Sequence, residues 1–135
     1  MNKVLAALIG VTVLVIIWEV FWWALGVRPL LPWRLKASLH NYPAEDLYLV
    51  DVRTAFEYEL FHIDGAENHP ELLLNPDLLK EQDPGKTVVA ICMTGHRSPL
   101  VAYGLKRRGF REVHNLTWGM AGWLLSGGRI KKGKD

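Results

Sequence analysis

A chain of 135 residues, half of them apolar and 22% charged, is long enough for one globular unit and too short for two. A formal net charge of +2, with no dominant acidic or basic tract, excludes a nucleic-acid binder that relies on a strong positive field. A single cysteine excludes an internal disulfide framework and any multi-thiolate metal site, which leaves Cys92 as either inert filling or a nucleophile.

Taken in chain order, Val4 to Val27 is apolar or neutral apart from Glu19. At about 1.5 Å per residue this is enough helix to cross a hydrocarbon core of roughly 30 Å, so residues 1–28 are read as a single-pass transmembrane anchor. Trp18, Trp22 and Trp23 crowd its C-terminal end, where indoles prefer the headgroup layer, and Glu19 beside them is read as an interfacial carboxylate. The competing reading is a cleaved secretory signal, with Lys3 as its positive region and Ala24-Leu25-Gly26 as a small-x-small triplet. Length and the tryptophans oppose it. Arg28, Arg34 and Lys36 outweigh Lys3 and the α-amino group, which favours the following domain on the cytoplasmic side.

Residues 29–35, with Pro29 and Pro32, predict a stiff juxtamembrane connector. A globular domain is expected over 36–126. The basic tail, 127–135, holds Arg129, Lys131, Lys132 and Lys134, a composition that suits either anionic headgroups or disorder. Within the domain, Leu47-Tyr48-Leu49-Val50 ending at Asp51, and Thr87-Val88-Val89-Ala90-Ile91 after the turn Asp83-Pro84-Gly85, read as buried strands of a parallel sheet. Glu112 to Leu116 predicts a further strand. Helical patterns cover Thr54 to Phe61, Pro70 to Gln82 with a possible break at Pro76, Pro99 to Arg108, and a short closing helix from Met120 to Leu125. Ser98 is the expected N-cap of the third of these, with Pro99 in its first turn and Gly109 at its end. Alternation of strand and helix gives an α/β layered domain.

Cys92 then falls at the C-terminal end of a buried strand, just before a helix N-terminus, where reacting groups collect in open parallel sheets. Loop N–H groups, the helix dipole and Arg97 all favour thiolate over thiol there. Gly95 lets the loop Cys92-Met93-Thr94-Gly95-His96-Arg97 curl round one sulfur, a concave arrangement of amides suited to an anion.

The loop, continued by Ser98, resembles that of the rhodanese family, which commonly reads Cys, four residues, Arg, then Ser or Thr. Leu49-Val50-Asp51-Val52-Arg53, Glu57-Tyr58 and then His62-Ile63-Asp64-Gly65-Ala66-Glu67-Asn68 resemble the family's first signature. Gly109 to Val113, and Leu116 to Trp123 with Gly119, resemble its closing segment. The resemblance spans roughly residues 36–126 and implies a three-layer domain with a mainly parallel central sheet. It also implies a sulfurtransferase that carries a sulfane sulfur as a Cys92 persulfide from a small donor (thiosulfate, a polysulfide or a protein persulfide) to a thiol or other nucleophilic acceptor, with no metal and no other cofactor. Cys92 is the expected nucleophile. Met93, Thr94, Gly95, His96, Arg97 and Ser98 form the anion-binding loop, and Asp51, Arg53 and His62 support it, the first two as an ion pair and the third as a structural histidine. Trp118 and Trp123 are read as packing or pocket rim.

The family often has a basic residue directly after the nucleophile, where this chain has Met93, and the loop therefore offers less charge to a dianionic donor. Two other classes compete. A non-catalytic module of the same fold at the membrane is one. A cysteine phosphatase or arsenate reductase is the other, although phosphatase loops of that kind place five residues between Cys and Arg and this loop has four.

Overall fold

The computed structural model of the protein describes residues 2–41, 43–79 and 83–134. One long helix, α1 (Lys3–Ala24), precedes an alternation of strands and helices: β1 (Arg28–Leu30), α2 (Pro32–Asn41), β2 (Leu47–Asp51), α3 (Ala55–Leu60), β3 (Glu67–Asn68), β4 (Thr87–Ile91), α4 (Ser98–Arg107), β5 (Glu112–Leu116) and α5 (Gly119–Leu125). The strands form one five-stranded sheet in the order β1-β5-β4-β2-β3, and every pairing is parallel. All C-terminal strand ends therefore lie at one end of the domain.

Side chains of period two divide the core between the two faces of the sheet. Tyr48, Val50, Val88, Ala90 and Cys92 join Val101, Ala102 and Leu105 of α4 on one face. On the other, Leu49, Val89, Ile91 and Leu116 join Leu35 of α2, Tyr58 of α3, and Met120 and Trp123 of α5. Helices on both sides of a parallel sheet make the expected three-layer α/β domain. Strands β2, β4 and β5 fall where their apolar runs place them. In α3, Thr54 closes a capping box with Glu57, its hydroxyl accepting from the Glu57 N–H while the carboxylate accepts from the Thr54 N–H.

Three segments differ from expectation. The connector read over 29–35 is built into the domain: Arg28–Leu30 pairs with His114–Leu116, and Pro32 begins α2. Pro29 sits in an edge strand, where a missing N–H costs no ladder bond. The helix expected from Pro70 to Gln82 is replaced by two 3-10 turns, Pro70–Leu73 and Pro76–Leu78; residues 80–82 lie outside the described residues. Each proline opens its own turn, and the extended Asn75 between them, whose side chain accepts from the Asp77 N–H, prevents one continuous helix. The basic tail is ordered against the domain. Lys131 exchanges backbone hydrogen bonds with His62, the Trp123 indole donates to the Arg129 carbonyl at 2.9 Å, and Gly133 N–H donates to the Glu59 carbonyl at 2.7 Å.

α1 is long and apolar enough to cross a membrane and has no residue buried in the domain core. Its last two turns nonetheless lie along the domain, since Trp22 packs against the core cluster on the α4 face and against the Tyr103 ring.

Leu105 is fully buried beneath α4, whereas Leu100 on the same helix is half exposed. Leu105→Ala is expected to cost about 2–5 kcal/mol of stability and Leu100→Ala less than about 0.5, as read from denaturant midpoints of the full chain in detergent.

Candidate active site

Strand β4 ends at Ile91, and the next residue, Cys92, is completely buried. Its sulfur accepts from the Gly95 N–H at 3.0 Å and from the Ser98 hydroxyl at 3.3 Å. Burial on its own pushes the thiol up. The Ser98 hydroxyl and the backbone N–H groups of Ser98, Arg97 and Thr94 outweigh that effect and hold it below its ordinary value. The result is a buried sulfur cradled by amides and one hydroxyl.

Two glycines permit the curl. Gly95 has φ +82°, and a Cβ there would lie 2.8 Å from the Trp118 backbone nitrogen and 3.0 Å from the Leu116 carbonyl. Gly119 lets the start of α5 press against the loop, where Met120 and Ala121 donate their N–H groups to the carbonyls of Cys92 and Met93, both at 2.9 Å. Trp118, just before α5, takes φ +58°, an uncommon backbone for a bulky residue, and thereby turns those amides toward the loop.

Ser98 is not the helix cap that its position predicts. Arg97 occupies that place without any side-chain capping bond, and the Ser98 hydroxyl is buried between the Cys92 sulfur and the Asn115 side chain. Asn115 in turn donates to the Gly95 carbonyl at 3.0 Å, so β5 braces both the hydroxyl and the loop. No sequence motif drew attention to Asn115.

Arg97 also departs from expectation. Its backbone N–H faces the sulfur, while its guanidinium is turned outward to the Glu57 carboxylate, at 2.9 and 3.3 Å. Bonding to Arg97 holds the Glu57 carboxyl down at about 2, against burial and with help from Thr54. Glu57, which in the sequence stood only within the stretch resembling the family's first signature, is thus brought to the loop by the fold. Thr94 and His96 are the exposed members of the loop, bonded to each other at 3.0 Å, and Met93 packs into the core below it. The His96 ring lies 6.1 Å from the ring of Trp18 in α1, and Glu19 is within electrostatic reach of His96.

Asp51 and Arg53 form the expected ion pair, and it is fully buried, with the guanidinium bonded to both carboxylate oxygens at 2.7 to 3.1 Å. Arg53 also donates to the carbonyls of Glu57 and Phe61, at 3.2 and 2.7 Å, which ties the middle and the C-cap of α3 to the end of β2. Neither residue touches the sulfur. His62 is buried, stacked on Tyr58 at 3.8 Å and bonded through Nδ1 to the Tyr58 carbonyl, the environment of a structural histidine. Trp123 is core and Trp118 is exposed at the rim.

An α/β sheet that ends in a six-residue loop with amides turned to one cysteine sulfur defines a class of cysteine-loop proteins. Within it, the sequence profile of the Rhodanese-like domain matches residues 32–126, and the chain belongs to that family. Curated relatives include the probable adenylyltransferase/sulfurtransferase MoeZ of Mycobacterium tuberculosis, 36% identical over 78 residues, which cover 57% of this chain and 20% of that protein. The putative sulfur carrier protein YrkF of Bacillus subtilis is 37% identical over 81 residues, 58% of this chain and 42% of that one. The chain thus spans less than half the length of these two relatives. Among solved structures, a rhodanese-like domain protein from Staphylococcus aureus superposes with a TM-score of 0.67 at 25% identity, covering 80% of this chain and all of that one.

Ser98→Ala removes one of the donors that favour the thiolate. The pH profile of Cys92 alkylation is expected to move to higher pH in this variant, with the maximal rate at high pH little changed, as followed by mass spectrometry. Because the Glu57 carboxyl is lowered from 4.5 to about 2, its contribution to stability is complete above the ordinary carboxylate range and is lost as pH falls toward 2. Glu57→Gln is expected to lower stability at pH 7 and to flatten the acid limb of a melting-temperature profile between pH 5 and 2.

Proposed function

We propose that the protein is a sulfurtransferase that carries sulfane sulfur on Cys92 and is held at a membrane by α1. The observation that carries this reading is the cradle itself: a buried sulfur accepting from Gly95 N–H and the Ser98 hydroxyl, with the thiol held below its ordinary value. Membership of the Rhodanese-like domain family and relatives named for sulfur transfer and sulfur carriage support it.

In the proposed first step the Cys92 thiolate attacks the outer sulfur of the donor. A sulfur–sulfur bond forms on Cys92 as the donor's own breaks, and the remainder of the donor leaves with the electron pair, as sulfite when the donor is thiosulfate. An acceptor thiolate then attacks the outer sulfur of the persulfide, takes it, and returns Cys92 as thiolate. Loop amides aimed at the sulfur stabilise negative charge before and after transfer without reorganisation, the role of an oxyanion hole applied to sulfur. Arg97, tied to Glu57, shapes the mouth of the loop and adds positive potential near Cys92. No metal or organic cofactor enters this cycle.

The six-residue loop favours this chemistry over phosphoryl transfer, since four residues between Cys92 and Arg97 make a smaller cradle than a phosphate dianion needs. With Met93 after the nucleophile and the Arg97 guanidinium engaged by Glu57, the loop has little free charge for a dianion. An organic polysulfide or a protein persulfide, whose reacting sulfur need not carry a dianion, is therefore the better donor. The positive charges of Arg28, Arg34 and Lys36 beside α1 support placing the domain on the cytoplasmic side.

Mass spectrometry of the full chain after incubation with polysulfide, and separately with thiosulfate, tests the reading. One added sulfur on Cys92, removed by a thiol, absent in Cys92→Ser and loaded faster from polysulfide, is expected. A folded protein that loads from neither donor overturns it in favour of a binding module.

A further inference from the structure

α1 is joined to the domain rigidly, and in a direction that matters for the site. Three contacts at four-residue spacing fix its path beside α4: Trp18 faces His96, Trp22 faces Tyr103, and Gly26 lies under Lys106 so closely that a Cβ would come within 2.5 Å of the lysine Cε. As α1 proceeds from Trp18 to Gly26, its partners proceed from the head of α4 to its last turn, so the two helices run in the same direction. α4 starts at the C-terminal ends of the strands. The free part of α1, Lys3–Ile17, therefore projects from that same end, beyond the mouth of the Cys92 loop.

This free part is about 22 Å long at ~1.5 Å per residue, short of the roughly 30 Å of a hydrocarbon core. To complete the crossing, the bilayer must reach the turns of α1 that hold Trp18 and Trp22, which are level with His96 and the first turns of α4. The surface at that end suits such a position. Trp33 follows β1, Phe56 follows β2, Leu100 follows β4 and Trp118 follows β5, each in or next to the first turn of the next helix, and they are 55%, 71%, 53% and 57% exposed. Because the sheet is wholly parallel, all four lie at the end from which α1 projects. Large aromatic and aliphatic side chains on a rim are what the headgroup layer accepts.

We infer that the catalytic end of the domain is seated on the bilayer surface, with Trp33, Phe56, Leu100 and Trp118 in the interfacial layer and the Cys92 loop opening toward lipid. The inference rests on the reading of α1 as a membrane span. It does not depend on sulfur transfer. A site opening there receives a partner that partitions into the interface or is itself bound to the membrane.

The test uses the full chain carrying Cys92→Ser and one new cysteine, Leu100→Cys or Trp118→Cys, with Asp83→Cys at the far end of the sheet as the reference. Each is labelled with an environment-sensitive fluorophore and reconstituted in phosphatidylcholine vesicles with brominated acyl chains. Strong quenching at 100 and 118, with little at 83, is expected. Leu100→Cys keeps the test open if Trp118→Cys, at its left-handed backbone position, fails to fold. A chain that floats with the vesicles while labels at 100 and 118 stay as bright as that at 83 overturns the seating and leaves the span intact. A chain that does not float overturns both, and persulfide formation on Cys92 remains a separate measurement.

Discussion

The buried ion pair between Asp51 and Arg53 is the constraint on which the arrangement of the site depends. Two opposite charges with no solvent exposure carry a desolvation penalty of several kcal/mol each, which is repaid only when every donor and acceptor is used. Arg53 comes close to that condition by binding both Asp51 oxygens and the carbonyls of Glu57 and Phe61, with its guanidinium over the face of the Phe61 ring. α3 is thereby fixed to the end of β2, and Glu57 is presented to Arg97 of the loop. An interaction that never reaches the sulfur thus decides where one wall of its cradle stands.

The opposite wall is assembled from β5 and α5. Asn115 braces the Ser98 hydroxyl and the Gly95 carbonyl, and the first amides of α5 hold the carbonyls of Cys92 and Met93. With its carbonyls occupied from outside, the loop can turn its N–H groups inward to one point. That division of labour lowers the thiol despite complete burial, because several short-range donors together outweigh the loss of water. The left-handed backbone at Trp118 is part of the same geometry and leaves an indole standing at the rim.

α1 adds a relation between the site and its surroundings. A flexible tether would let the domain sample many heights and tilts, whereas Trp18, Trp22 and the short link through Gly26 and the buried Val27 into β1 hold it in one. The link cannot lengthen without pulling an edge strand from the sheet. Orientation relative to α1 is then a property of the fold.

Much of the fold was legible because its signals are local. The apolar runs at Leu47–Asp51 and Thr87–Ile91, the helical pattern of α3, the long apolar run of α1 and the position of Cys92 between a strand and a helix need only neighbours in sequence. Pro29 and Pro32 misled, since a proline reads the same in a connector and in an edge strand until a partner strand is known. So did Ser98, whose hydroxyl serves a helix N-terminus or a sulfur equally well, and the choice was made by Asn115, 17 residues away. The outward turn of Arg97 depends on Glu57, 40 residues earlier, and the direction in which the Cys92 end of the domain faces relative to α1 depends on α1 lying beside α4. The sequence by itself determined the main strands and helices, the family resemblance and the candidate nucleophile, because periodicity and spacing are written along the chain. Only the tertiary structure decided which groups surround that nucleophile and which way it opens, because those are contacts between residues whose distance in space bears no relation to their distance in sequence.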